Sequence, residues 1–225
     1  MWRHVLDPVR TAITITTAEQ TELSAEQTAF ENFIRRIRQI EPVPLTVKQR
    51  GNAEEMQRQA TTARAAYRET MLAVDHYERE YGEPLLTNAA AELGADAAVV
   101  LDSDSNVLFT PPVKQLLVTS ATQCFEDRKS VRGNIDAELE SLESARQELY
   151  AVVKNLDGTS VPPWHHEQFD ATLEDILQRR QQHLHTRSGC SDSHNLCAYL
   201  YEAQPWRYPV LTSLARLNNV TSYTR

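Results

Sequence analysis

Apolar residues recur along this chain three and four positions apart over stretches far longer than a strand, the rhythm of helices that bury one face. Asp7-Pro8 offers a cap and first turn, after which Val9, Ile13, Leu23, Phe30, Phe33, Ile34, Ile37 and Ile40 share one side of a helix over about residues 8–41. The alternation Ile13-Thr14-Ile15-Thr16 suits a strand equally, so residues 10–22 remain open between helix and strand, and Ser24 with Gln27 offers a second helix start of capping-box form. Pro42 and Pro44 close the segment. A second helix, about 52–81, carries Met56, Ala60, Ala63, Tyr67, Met71, Val74 and Tyr81 and stops at Gly82, and a short one, about 84–94, carries Leu85, Leu86, Ala89 and Leu93.

Thr110-Pro111 opens the longest stretch, about 110–157, whose stripe runs through Val113, Leu117, Ala121, Cys124, Val131, Ile135, Leu139, Leu142, Leu149, Val152 and Leu156, with Gly133 as a point of bending. A straight helix of that length extends roughly 70 Å and cannot bury its stripe alone. Residues 158–163 read as a linker, and Phe169, Leu173, Ile176, Leu177 and Leu184 mark a helix over about 166–186 that can return along the long one. Beyond it, Tyr199, Tyr201, Trp206 and Tyr208 characterise an aromatic-rich cap. The expected fold is all-α: an elongated antiparallel helical bundle built on a coiled-coil hairpin, with a long-helix bundle at 1–158 and, at 159–225, the returning helix plus a small helical C-terminal cap.

Composition sharpens this. Only 6 glycines occur in 225 residues, too few for the turns of a many-stranded fold or for a glycine-rich phosphate loop. The longest uninterrupted apolar run, Ala97 to Leu101, is far short of a bilayer span, and Met1-Trp2-Arg3-His4 leads into no apolar h-region, so a cytoplasmic protein is expected. The formal net charge of -8 disfavours a broad phosphate-binding face. Of 23 basic residues only Lys48, Lys114, Lys129 and Lys154 are lysines, a bias shared with proteins of salt-rich cytoplasms. Three cysteines, Cys124, Cys190 and Cys197, suit reduced thiols rather than a disulfide framework.

Several constellations invite chemistry. His183, His185, Cys190, His194 and Cys197 gather zinc-type donors within fifteen residues, and a site built from His183, Cys190, His194 and Cys197 is the alternative function for the C-terminal region. No C-x-x-C pair supports it, however, and Cys197 lies in an apolar context that suits a core thiol. Asp102-Ser-Asp104-Ser-Asn106 spaces oxygens like a calcium loop but places Val107 where such loops need Gly and Val113 where they need Glu. His165-His166 is an adjacent pair in a linker, with no nucleophile or base motif beside it. Arg35, Arg36 and Arg38, with Lys48 and Arg50, form the one basic concentration, a thin basis for a nucleic-acid-associated regulator. From the residues alone, therefore, no catalytic, cofactor-binding or metal-ligating residue is assigned.

Four stretches together carry a resemblance: His76-Tyr77-Glu-Arg-Glu-Tyr81-Gly82-Glu83; Glu92-Leu93-Gly94-Ala95; Phe109-Thr110-Pro111; and Leu196-Cys197-Ala-Tyr199-Leu200-Tyr201 with Trp206-Arg-Tyr208-Pro209-Val210-Leu211. They resemble an uncharacterised domain-of-unknown-function family of halophilic archaea. The resemblance implies a helical cytoplasmic protein and no particular activity, and it carries over no functional residues. The expected role is a non-enzymatic interaction or structural protein, at most a weak homodimer, meeting an unknown protein partner through Trp206 and Tyr208.

Overall fold

The computed structural model describes residues 3–42, 50–105, 107–156, 166–187 and 193–222. The element order is α1 (Arg3–Gln39), α2 (Arg50–Thr70), α3 (Tyr77–Glu80), α4 (Leu85–Leu93), α5 (Ala95–Leu101), α6 (Pro111–Asn155), α7 (His166–Arg187), α8 (Ser193–Leu200) and α9 (Pro209–Ser222). The protein is an all-helical bundle, with no strand among the described residues. The linker expected at 158–163 lies outside them.

α1 resolves the helix-or-strand question in favour of helix. Val5, Val9, Ala12, Thr16 and Leu23 keep the three-and-four spacing and are buried, so one helical face survives where the strand alternation breaks down. Thr14 and Thr17 donate their hydroxyls back to the carbonyls of Arg10 (3.1 Å) and Ile13 (2.7 Å), which satisfies them inside the helix. The helix starts earlier than Asp7-Pro8 suggests, and Pro8 lies inside it. Proline has no N–H for the carbonyl four residues back. That carbonyl, on His4, instead accepts from Arg216 Nη1 of α9 at 2.8 Å, so a side chain replaces the missing backbone donor.

The helix expected over 52–81 is interrupted. α2 stops at Thr70, turns occupy 71–76, and the four-residue α3 follows, with Gly82 at φ +55° two residues beyond its end. Around the interruption one contact is tertiary, His76 reaching Glu26 of α1, and one is local, the Tyr77 hydroxyl donating to the Glu83 carbonyl at 2.6 Å. The apolar run Ala97–Leu101 lies in a helix of its own, α5, separated from α4 by Gly94 at φ +90°, a conformation open to glycine. Arg64 of α2 donates to the Leu101 and Asp102 carbonyls and so closes the C-terminal end of α5. Lys114 does the same for α1, donating to the Arg38 and Ile40 carbonyls at 2.7 Å each.

The chain divides into two compact units, one of residues 1–20 and 134–225, the other of residues 21–133. α1 and α6 contribute to both. In the 21–133 unit, Phe30, Phe33 and Ile37 of α1, Ala63 and Tyr67 of α2, Leu101 of α5, Phe109, and Leu117 and Ala121 of α6 share one core. In the other unit the buried set includes Val5 and Val9 of α1, Ile135, Leu142 and Leu149 of α6, Ile176 and Leu184 of α7, Cys197 and Tyr201, and Val210 and Leu217 of α9. α6 differs from its expected stripe at three places, the first being the C-terminal end, where Val153 rather than the half-buried Val152 is buried. Val131 is 41% exposed, and Glu138 at 1%, rather than the half-buried Leu139, holds the core position.

Two glycines give opposite expectations. A Cβ on Gly82 would sit 3.1 Å from the Glu78 carbonyl oxygen in a left-handed backbone, so Gly82→Ala is expected to destabilise by about 1–2 kcal/mol. Gly133 lies inside α6 with open space where its Cβ would go, and Gly133→Ala is expected to stabilise by about 0.5–1 kcal/mol. Thermal or urea unfolding of the two variants checks both signs.

Candidate functional site

Among the described residues two polar clusters stand out, one deeply buried in the unit of residues 1–20 and 134–225 and one partly buried in the unit of residues 21–133, and each arises where a polar residue occupies a core position of a helix. On α1 the buried face passes through Thr16 and Glu26; on α6 it passes through Glu138, with Arg128 half-buried beside it; on α7 it passes from Ile176 through Arg180 to Leu184. A charged residue at such a position must find a partner or raise its neighbours' cost heavily.

In the unit of residues 1–20 and 134–225, Glu138 is the centre. Arg180 Nη2 donates to its Oε1 at 2.6 Å and Nη1 to its Oε2 at 3.0 Å, a two-pronged contact between side chains 2% and 1% exposed. His183 Nε2 lies 3.2 Å from the same Oε2, and the Tyr201 hydroxyl donates to Oε1 at 3.1 Å. Arg180 Nη1 also donates to Ser141 Oγ at 2.9 Å, and Thr16 Oγ1 lies 3.2 Å from the Tyr201 hydroxyl. Burial alone would raise the Glu138 carboxyl, but the His183 hydrogen bond and the Arg180 charge outweigh it and hold the group down at about 2. Burial and the Glu138 charge push the Tyr201 phenol up, so Tyr201 is a fixed hydrogen-bond donor.

In the unit of residues 21–133, Arg128 bridges two carboxylates, donating from Nε to Glu26 at 2.6 Å and from Nη2 to Glu92 at 2.7 Å, with its guanidinium 4.6 Å from the Phe30 ring centre. Glu26 also accepts from the Tyr81 hydroxyl at 2.8 Å and meets His76 Nε2 at 3.1 Å. Burial would raise Glu26, yet the Arg128 contact, supported by His76 and Tyr81, lowers it. Cys124 donates its thiol to the Glu92 carbonyl at 2.9 Å, and burial pushes that thiol up, away from reactive thiolate.

The sequence candidates are dispersed by this arrangement. Of the zinc set, His183 is engaged with Glu138, and Cys197 is buried close enough to Arg180 and Tyr201 to act on both electrostatically. Cys190 and the side chain of His194 lie outside the described residues, as does His165, and His185 is exposed on α7. Among the described residues no three His, Cys, Asp or Glu side chains converge on a possible metal position. The cation facing Glu138 is the Arg180 guanidinium itself. Asp102 accepts from the Asp104 amide at 3.0 Å and Ser105 donates to the Asp102 carbonyl at 3.2 Å, so the acidic loop closes on itself as a turn. In the basic group Arg36 pairs with Glu69 and Arg35 donates to Asn32 at 2.6 Å, while Lys48 is outside the described residues.

Beside the Glu138 cluster runs an open groove of about 310 Å³ between α6 and α7, lined by Ala137, Ser141, Ser144 and Ala145 on one side and Ile176 and Arg179 on the other. At the C-terminal corner, Tyr201 is buried with its ring 5.4 Å from that of Trp206, Trp206 and Tyr208 are half-buried, and Tyr199 is 60% exposed with its hydroxyl donating to Glu19 at 2.8 Å.

The chain belongs to the family described as Domain of unknown function (DUF7260), which it matches over residues 7–225. No curated protein and no solved structure matches it significantly. No helix among the described residues is long and apolar enough to cross a membrane.

Proposed function

We propose that this protein works by holding another protein rather than by catalysing a reaction, that it does so in a salt-rich cytoplasm, and that it is itself at most a weak homodimer. The observation that carries this reading is the aromatic corner between α8 and α9. Tyr199 stands 60% exposed and Trp206 and Tyr208 are half-buried, while Tyr201 beneath them is fixed by its ring contact to Trp206 and its hydrogen bond to Glu138. Rigid, partly exposed aromatics give contact area at little entropic cost and are the usual anchors of protein interfaces. The buried polar groups support the same reading from the other side. Glu138 and Glu26 each spend their oxygens on several donors of the protein itself, which is how structural rather than reacting carboxylates are kept.

Replacing Trp206 and Tyr208 together by Ala is expected to abolish recovery of the specific partners that co-purify with the tagged protein, with the helical signal of the long helices retained. Tyr199→Ser, at a position too exposed to disturb a core, is expected to weaken the same partners about tenfold. Full retention of every partner by both variants would remove the proposal.

A zinc-binding module in the same region is the second reading, favoured by His183, whose Nε2 lies 3.2 Å from the buried Glu138 carboxylate, with Cys197 buried near Arg180. Because Arg180 already supplies the positive charge there, protein purified without chelator is expected to carry well under one zinc per chain. Cys197→Ser is then expected to cost about 1–3 kcal/mol through a buried hydroxyl, with no change in metal content. Stoichiometric zinc lost in that variant would establish the metal module instead.

A further inference from the structure

We propose that α7 is a releasable strap, which lifts away from α6 while the rest of its unit stays folded. Three features of the α6–α7 contact lead there. First, the helices do not close on each other: a groove of about 310 Å³ lies between them, floored by the small side chains Ala137, Ser141, Ser144 and Ala145. Along this open groove the two helices make fewer dispersion contacts than a closed helix pair would.

Second, what spans the gap is polar. Arg179 reaches Glu148 from the outer side, and Arg180 and His183 reach Glu138 from the inner side, with Ser141 as a further acceptor for Arg180. The outer bridge is half exposed and is screened by salt. The inner pair is almost fully buried, but its two ions regain hydration on separation, so their attraction opposes opening far less than its short distances suggest. Third, α7 buries less apolar surface than α6: of the residues whose exposure is described, Ile176 and Leu184 are the buried apolar ones, Phe169, Leu173 and Leu177 are half-buried, and the remaining buried position is Arg180. The hydrophobic term that holds α6 in place through Ile135, Leu142, Ala145 and Leu149 has no counterpart of equal size on α7.

Opening would expose the small-residue floor of α6 together with Ile176, giving this protein a second, transient face besides the aromatic corner. The strap is independent of the reading of that corner and stands or falls separately.

Amide hydrogen exchange on the intact protein tests it. Amides from Ile176 to Leu184 are expected to exchange at least about tenfold faster than those from Glu138 to Leu149 on α6, with a denaturant dependence weaker than that of global unfolding. Filling the groove by Ala145→Leu is expected to slow the α7 amides several-fold relative to those of α6. Equal exchange and equal denaturant dependence for α6 and α7 in the unaltered protein would overturn the proposal, whether or not the filled variant folds. A folded Ala145→Leu variant in which the α7-to-α6 ratio does not change would overturn it too.

Discussion

Glu138→Gln is expected to remove about 3–5 kcal/mol of stability, among the largest losses any single substitution in this chain will produce. The amide keeps the shape of the side chain but not its charge, and it leaves the Arg180 guanidinium buried at 3% exposure without a counter-ion. The amide keeps one acceptor oxygen, so either the donors at Oε1, Arg180 Nη2 and Tyr201, or those at Oε2, Arg180 Nη1 and His183, face an NH2 group instead. Much of that cost belongs to the stranded arginine rather than to the pair. Converting both partners to apolar residues, Glu138→Leu with Arg180→Met, should therefore recover most of the loss, and a double-mutant cycle in urea reads the recovery directly.

The same carboxylate sets an acid limit. Its pKa in the folded protein, about 2, lies below the ordinary value of 4.5, so folding favours the ionised form. The stability this contributes is complete above pH 4.5 and is lost as pH falls from there toward 2, on the order of 3 kcal/mol across that window. Unfolding free energies measured between pH 6 and pH 3 should fall more steeply for the native sequence than for Glu138→Gln, which has no carboxyl to protonate at this position. Parallel pH profiles for the two proteins would show that Glu138 is not the group responsible.

How far the sequence discloses this molecule depends on which interactions are local. Helix class and most helix positions follow from the three-and-four spacing, because burying a stripe is a requirement that each segment expresses alone. The limits follow less well. The His76 break in α2–α3 and the unbroken start of α1 through Pro8 both involve side chains far away in sequence, Glu26 in one case and Arg216 in the other. The apolar run Ala97–Leu101 is too short for its periodicity to separate helix from strand, and it is Gly94 and Arg64 that bound the helix there.

The buried clusters were legible in one sense only. Thr16, Glu26, Arg128, Glu138 and Arg180 each interrupt an apolar stripe at the position where a core residue is due, and that interruption is the signal a sequence carries for a buried ion pair. Reading Leu139 and Val131 as core instead follows from scoring apolar residues and passing over the charged ones between them. What no stripe can provide is the pairing: Glu138 and Arg180 are 42 residues apart, and Glu26 and Arg128 are 102 apart. The histidines and cysteines of the C-terminal region cluster in sequence, while the structure joins His183 to a carboxylate of another helix.

In the unit of residues 21–133, Phe33→Ala is expected to cost about 3–5 kcal/mol. Phe33 is completely buried, and its ring meets that of Tyr67 edge to face, with centres 5.3 Å apart and planes at 89°. Truncation empties a site whose neighbours are held elsewhere: the Tyr67 hydroxyl donates to Asn88 Oδ1 at 2.7 Å, and Asn88 in turn donates to Glu83 at 3.2 Å, so the Tyr67 ring cannot swing into the gap without breaking that chain. A site that cannot collapse carries the cavity penalty in full, which places the expected value toward the upper end of the range. Tyr67→Phe makes the complementary cut. It keeps the ring contact and removes only the hydroxyl, leaving the buried Asn88 oxygen without its donor, for an expected loss of about 1–3 kcal/mol. Because the two residues touch, the double variant should lose measurably less than the sum of the single losses. If Phe33→Ala costs under about 1 kcal/mol in urea unfolding, a value ordinary for surface sites, then Tyr67 does relax into the space and the hydrogen-bond chain through Asn88 does not anchor it.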